Sequence, residues 1–331
     1  MRLPKKMTLP PNDIIRTLKE ADSVLIATHI FPDGDALGSQ LALGECLASL
    51  GKNVFLYSEE KVSHLYDFLP GCGKLRNSLP DLTAFDCVVS VDCADQQRLG
   101  REAERLLAAK RLVMIDHHVG HKLFGDVHWV DPKRASTGEM VYDLVVALGA
   151  EISPEAAFCL YTALVSDTGS FMYTSTTADT FRVAADLIGL GVKPSDVAGK
   201  LFDNFTVNRL ELLKLVLDSL EILADKRIAI ITVTSEMFSQ TGTVPADTEN
   251  FINYPRSLAS VRVAAFIKET RQGVVSVSLR SKGNDCDVAT LAGEFGGGGH
   301  RNAAGFKLVD GDLSSVRKDL LKKLERLVEA N

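Results

Sequence analysis

The chain is an α/β protein by its sequence pattern: a parallel-sheet domain comes first and a smaller α/β domain second. Three observations predict this. Short apolar runs alternate with helical periodicity through the first half, the arrangement that builds a parallel sheet covered on both faces. Successive runs end in Asp or His, as strands do when their carboxyl ends line a site. The last third changes to alternating strands joined by a tight connection, then a glycine-rich loop. At 331 residues the chain has room for two cores. The boundaries read as 1–190 for the first domain, 191–223 for a helical linker and 224–331 for the second.

In order, 23–27 is an apolar run and reads as a buried strand, and 35–50 is apolar-periodic and reads as a helix. Strands follow at 53–57 and 85–91, the second ending at Asp92. A helix is expected over 98–109, then a strand over 111–115 that ends in Asp116-His117-His118. Helices are expected over 136–148 and 153–165, the latter with Ser153 as N-cap and Pro154 in its first turn. That helix runs into Ser166-Asp167-Thr168-Gly169; glycine explains the stop, but an acidic residue there opposes the helix dipole, a cost that a nearby cation would remove. A further helix is expected over 178–190, ended by Gly191. The stretch 193–223 reads as helical and strand-free. The second domain opens with a strand over 227–234. Alternating strands over 260–269 and 273–281 follow, joined through Thr270-Arg271-Gln272 as a hairpin. Next come a helix over 287–294, the loop Phe295 to His300, a strand to residue 309 and a last helix over 313–330.

The chemistry is concentrated in Thr28-His29-Ile30-Phe31-Pro32-Asp33-Gly34-Asp35, between the first strand and helix. One imidazole and two carboxylates offer hard donors to a divalent ion, and Asp33 and Asp35 repel each other without one. An ordinary turn with Asp35 capping the next helix is the plain alternative. A helix-loop-helix calcium site fails, because its fifth and twelfth positions would be Leu37 and Gly44. One strand-end Asp is commonly a turn residue; three strand ends carrying Asp or His read as a site. Four consecutive glycines are commonly a linker. Here the flanking structure, His300 and Ala303-Ala304-Gly305 favour backbone amides closing around a phosphate.

Bulk properties narrow the function. Hydrophobic residues at 46% and charged residues at 24% are ordinary for a globular protein, and no run is long and uncharged enough for a membrane span. Residues 1–8 carry Arg2, Lys5 and Lys6 without a following apolar core, unlike a secretory signal. The six cysteines contain no C-x-x-C pair, so neither a disulfide framework nor a structural zinc site is indicated. A cytoplasmic location, without membrane attachment, is the expectation. A net charge of -6 argues against coating duplex DNA but allows a small anionic substrate where bound metals reverse the local field.

These motifs, in order, resemble the DHH phosphoesterases: His29/Asp33/Asp35, Asp92, Asp116-His117-His118 and Asp167. The Gly296 to His300 loop is similar to the signature of the DHH-associated C-terminal domain. In length and domain arrangement the chain is most similar to the branch that degrades very short RNA (nanoRNA) and dephosphorylates 3'-phosphoadenosine 5'-phosphate (pAp). Single-strand exonucleases of the RecJ type are longer, with an extra oligonucleotide-binding domain. Phosphodiesterases acting on cyclic or linear dinucleotides, in their membrane-bound form, carry segments absent here. The family's inorganic pyrophosphatases lack the glycine loop with its histidine. A non-catalytic nucleotide-binding regulator is a further alternative, opposed by the intact ligand positions. Arg301 departs from the pattern, where lysine or histidine is more usual, which touches substrate preference.

The resemblance implies two divalent ions, Mn²⁺ by preference. His29, Asp33 and Asp92 would hold one, and Asp35, Asp92, His117 and Asp167 the other, with Asp92 bridging. A hydroxide between them would attack phosphorus in line. His118 would contact the phosphoryl group or leaving oxygen, and Asp116 would orient an imidazole. Arg280, Ser281, Gly297, Gly298, Gly299 and His300 would bind substrate, with the active site in the cleft between domains. Expected partners are short RNA oligonucleotides, dinucleotides or pAp, and a homodimer is compatible with the sequence.

Overall fold

A computed structural model describes residues 9–118, 123–270, 273–283, 285–309 and 311–329. The chain divides into two compact units, 1–204 and 205–331. The boundary falls inside the stretch expected as a linker. Among the described residues no helix is long and apolar enough to cross a membrane.

Unit 1 runs α1 (Asn12–Glu20), β1 (Ser23–Ala27), α2 (Gly34–Ser49), β2 (Asn53–Tyr57), β3 (Cys87–Val91), α3 (Ala103–Leu107), β4 (Leu112–Asp116) and β5 (Val127–Val130). It ends with α4 (Thr137–Leu148), α5 (Pro154–Asp167), α6 (Ala178–Gly189) and α7 (Pro194–Phe202). The strands form one parallel sheet in the order β2-β1-β3-β4-β5. From β1 the chain moves outward to β2 and then returns to the other side as β3. The strand order therefore reverses between β1 and β3, and a crevice opens at their carboxyl ends. His29 and Asp92 follow those two ends.

On one sheet face Val24, Ile26 and Val89 pack with Leu37 and Leu41 of α2, Met140 of α4 and Leu160 of α5. α2 and α5 cross closely: a Cβ on Gly38 would collide with the carbonyl oxygen of Cys159, and one on Gly34 would lie 2.7 Å from Ser166 Oγ. That approach brings Asp35 near the end of α5. On the other face Leu25, Val88 and Met114 meet Leu79, Phe85, Leu99 and Leu106. Here the expected helix over 98–109 is broken. A 3-10 turn, Gln96–Leu99, is followed by Gly100 at φ 85° before the short α3 begins. Strand β5 was not expected; it is only four residues long with an alternating burial pattern, a weak periodic signal.

Unit 2 runs α8 (Val207–Asp218), β6 (Glu221–Leu223), β7 (Ile228–Val233), α9 (Ser235–Thr241), α10 (Asn253–Ser257), β8 (Val263–Thr270), β9 (Val274–Ser281), α11 (Val288–Gly293), β10 (Gly298–His300), β11 (Ala303–Leu308) and α12 (Leu313–Glu329). Its sheet has the order β10-β11-β9-β8-β7-β6. β8 and β9 pair antiparallel as expected, while Arg271 and Gln272 of their connection lie outside the described residues. Three expectations change. The strand-free reading of 193–223 misses β6, an edge strand on β7. β8 does not alternate: 263–267 are all buried, because α12 covers one face and α8 with α9 covers the other. The glycine run is half strand, with Gly298–His300 paired to β11.

Candidate metal centre and substrate-binding loop

Thr28 donates its hydroxyl to the carbonyl of Val91 at 2.9 Å, tying the ends of β1 and β3 together one residue before His29 and Asp92. Asp92 leaves the strand at φ 58°, a left-handed conformation that aspartate tolerates better than most residues. His29 Nδ1 lies 2.8 Å from the Ile30 carbonyl and 2.9 Å from Arg98 Nη2. Its Nε2 faces Asp92 Oδ2 at 3.5 Å.

Of the two carboxylates in the opening motif, Asp33 is the helix cap. Its Oδ1 accepts from the amides of Asp35 and Ala36, each at 3.1 Å. Asp35, buried on the first turn of α2, binds a different helix. Its Oδ2 accepts from the Thr137 amide at 2.7 Å, and its Oδ1 from the Gly138 amide at 2.8 Å and Ser39 Oγ at 3.1 Å. Thr137 also donates its hydroxyl to Asp92 Oδ1 at 2.8 Å. The N-terminus of α4 thus grips carboxylates from two elements.

From the end of β4, His117 points Nε2 at Asp167 Oδ2 (3.1 Å), Asp35 Oδ2 (3.7 Å) and Asp92 Oδ1 (3.7 Å). Its Nδ1 lies 3.3 Å from the Arg134 carbonyl. That carbonyl belongs to a buried knot in which Arg134 bonds Glu139 at 3.1 Å and Asp143 at 2.6 Å. Asp116, fully buried, accepts at Oδ1 from His118 Nδ1 at 2.8 Å and from the His117 amide at 2.9 Å. The Asp116–His118 bond fixes which ring nitrogen His118 turns outward.

The donor atoms gather as His29, Asp33 and Asp92, as Asp35, His117 and Asp167, and as Asp92, Asp116 and His118. Electrostatics fit cations. Burial, followed by repulsion from Asp92, pushes the Asp33 and Asp35 carboxyls up, Asp35 well above the usual range. Burial also works to raise Asp92, but the His29 hydrogen bond and the surrounding imidazoles outweigh it and hold this carboxyl low. Burial would lower both imidazoles; Asp167 raises His117 well above its ordinary value, and the bond to Asp116 raises His118. The crowded carboxylates call for positive charge between them, and the hard O and N donor set, with no thiolate in it, suits a divalent ion.

In unit 2, β10 and β11 form the glycine loop. A Cβ on Gly297 would come within 2.5 Å of Phe306 Cβ, and Gly299 sits at φ 139° with a Cβ position 2.5 Å from the Ala303 carbonyl oxygen. Nothing lies within 4 Å of a Cβ placed on Gly298. His300 pairs with Ala303, which in turn pairs with Arg280. Arg280 Nη1 donates to the Leu279 carbonyl at 3.0 Å. Ser281 faces inward: it is buried, donates to the Cys286 carbonyl at 2.8 Å and accepts from Asn302 at 3.0 Å, so its hydroxyl serves the turn. The sequence reading missed Thr137, Gly138 and Arg134. Ser136 capping the Glu139 amide at 3.1 Å was the only local signal, and it marks a helix start and no chemistry.

The model of the DHH family, N-terminal domain, matches residues 23–164, and that of the DHHA1 domain matches residues 225–330. A relative from Thermus thermophilus, named bifunctional oligoribonuclease and PAP phosphatase NrnA, is 32% identical over 309 residues, covering 93% of this chain and 91% of its own. An exopolyphosphatase-related protein from Bacteroides fragilis superposes with a TM-score of 0.87 at 29% identity, over 96% of this chain and 97% of that one. Exonuclease RecJ bound to manganese shares the fold, with a TM-score of 0.53 at 16% identity over 95% of this chain and 94% of that one.

Proposed function

As a member of the DHH family with a DHHA1 domain, this chain is a phosphoesterase, and we propose that it hydrolyses short oligoribonucleotides to mononucleotides and removes a phosphate from pAp. The relative at 32% identity carries both activities in its name and is matched nearly end to end. The observation that carries the reading is the convergence of His29, Asp33, Asp35, Asp92, His117 and Asp167 at the carboxyl edge of one sheet. Such a carboxylate and imidazole set holds two divalent ions, Mn²⁺ by preference, which when bound supply Lewis acidity toward water and the phosphoryl oxygens.

The side chains then divide the work. His29 with Asp33, and Asp35 with His117 and Asp167, form two half-sites, and Asp92 stands between them. His118, held through Nδ1 by Asp116, presents Nε2 for a proton to or from the leaving oxygen. Arg280, His300 and the amides around Gly298 take a phosphate that is not being cut, because a planar guanidinium and open backbone N–H groups both match its oxygens. Ser281 supports this loop from inside the turn.

Purified protein supplied with Mn²⁺ should release phosphate from pAp and mononucleotides from an RNA pentamer, and a chelator should stop both. Failure on both substrates with metal present would remove the proposal.

A further inference from the structure

The register of the second sheet places a set of cations that the glycine loop does not account for. Across one face, His300, Ala303, Arg280 and Ala264 form a row. Gly298, Gly305, Ser278 and Phe266 form the next, and Lys307, Ser276 and Lys268 the third. On this face α8 and α9 cover β7 and β8, where Ile231 and Phe266 are buried. Over β9 and β11 the cover stops: Ser276, Ser278, Arg280, Ala303 and Gly305 are half-buried and Lys307 is exposed. The middle row is a floor of glycine and serine between two cationic rows.

Lys268 is the unusual member. It is half-buried, its ammonium lies 5.4 Å from the Phe266 ring centre, and no hydrogen bond or ion pair reaches that ammonium among the described residues. Burial holds this lysine below its ordinary value against the opposing pull of Glu249, and the Arg280 charge adds a smaller push in the same direction as burial. Two like charges on one face, one of them poorly solvated, are relieved by an anion between or beside them. Arg280 and Ser276 are four residues apart on β9, about 13 Å along a strand.

We propose that Lys268, Ser276 and Lys307 form a second anion subsite, which takes a further phosphodiester of an oligonucleotide, two positions along the strand from the phosphate on the Arg280 row. The inference rests on the proposed function and extends it. pAp has two phosphates, one for the reaction and one for the Arg280 row, so it leaves the second subsite empty. An oligonucleotide of five residues has four phosphodiesters and reaches it. The two rows thereby separate the two substrate classes by length.

The test compares wild type with Lys268→Met, which keeps an apolar stem over Phe266, with Lys307→Gln, and with the double variant. The double variant should lose about tenfold in kcat/KM on an RNA pentamer through KM, and stay within twofold of wild type on pAp. Pentamer binding, measured by anisotropy in an Asp92→Asn background, should lose about 0.7 in salt slope for each contact removed. Thermal melting checks that each variant is folded. Unchanged pentamer kinetics in a folded double variant, or equal losses on both substrates, would overturn the subsite and leave the proposed function standing. A wild-type protein inactive on both substrates would overturn the proposed function and the subsite with it.

Discussion

Thr137 binds Asp92 and Asp35 at once, through its hydroxyl at 2.8 Å and its amide at 2.7 Å. One residue at the start of α4 therefore fixes a carboxylate from the end of β3 relative to one on α2. Partners behind a metal ligand commonly change metal affinity by 10–100-fold.

Thr137→Val removes the hydroxyl while keeping shape and amide. Mn²⁺ affinity, measured by calorimetry without substrate, should fall about tenfold, and Thr137→Ser should recover most of it. Wild-type affinity in the valine variant would show that the bond to Asp92 has no part in the centre.

Asp92→Asn tests the carboxylate that faces three imidazoles. Asparagine tolerates the left-handed φ at this position, so the fold should survive. Turnover should drop about a thousandfold or more, the scale of several kcal/mol of charge stabilisation. Circular dichroism and metal content measured on the same sample separate lost chemistry from lost structure.

The metal-free protein should lose stability as pH rises. The Asp33 and Asp35 carboxyls are raised, so the folded state holds protons that the unfolded state releases above about pH 4. His117 and His118 are also raised; their contribution is complete below about pH 6.5 and is lost as pH climbs through their folded values. Asp92 is lowered and acts oppositely, but its contribution is lost only as pH falls below about 4. Melting scans with chelator should therefore show Tm decreasing from pH 6 to 8, and Mn²⁺ should restore most of the loss at pH 8. A Tm that rises over this range without metal would contradict the charge assignment.

Gly297→Ala and Gly298→Ala separate structure from recognition in adjacent residues. The first drives a Cβ into Phe306 and the Gly305 carbonyl, so it should distort the β10–β11 pair and lower Tm. The second meets nothing within 4 Å and should melt like wild type while raising KM for pAp severalfold, since a methyl there intrudes on a bound phosphate. Wild-type KM in Gly298→Ala would remove this amide from the substrate site.

Much of unit 1 was legible because its strands are short, continuous apolar runs whose ends carry the chemistry. β1, β2 and β4 lie within a residue of their expected bounds, and Ser153 caps α5 as its sequence indicates. Residues 98–109 misled because their helical pattern spans Gly100, whose positive φ outweighs periodicity. β6 and β5 are edge strands of three and four residues, too short to show a period. Of the expected site residues, the unit 1 set converges, while Ser281 turned inward because Cys286 and Asn302 claim its hydroxyl. Thr137 and Arg134 were invisible for a different reason. Their roles depend on α4 arriving beside α2 and β3, which no local pattern encodes.

A metal centre in unit 1 and local phosphate recognition in unit 2 are proposed to act on short RNA. The rate per end on end-labelled RNA of two, five and about thirty nucleotides, at equal concentrations of ends with Mn²⁺, decides this. The dinucleotide and pentamer should be consumed much faster than the long strand, because the proposed phosphate contacts, from the Arg280 row to Lys268 and Lys307, span only a few nucleotides, and a chain with a net charge of -6 adds little attraction for a longer one. Consumption of the long strand as fast as the dinucleotide would contradict this and favour a single-strand exonuclease of the RecJ kind.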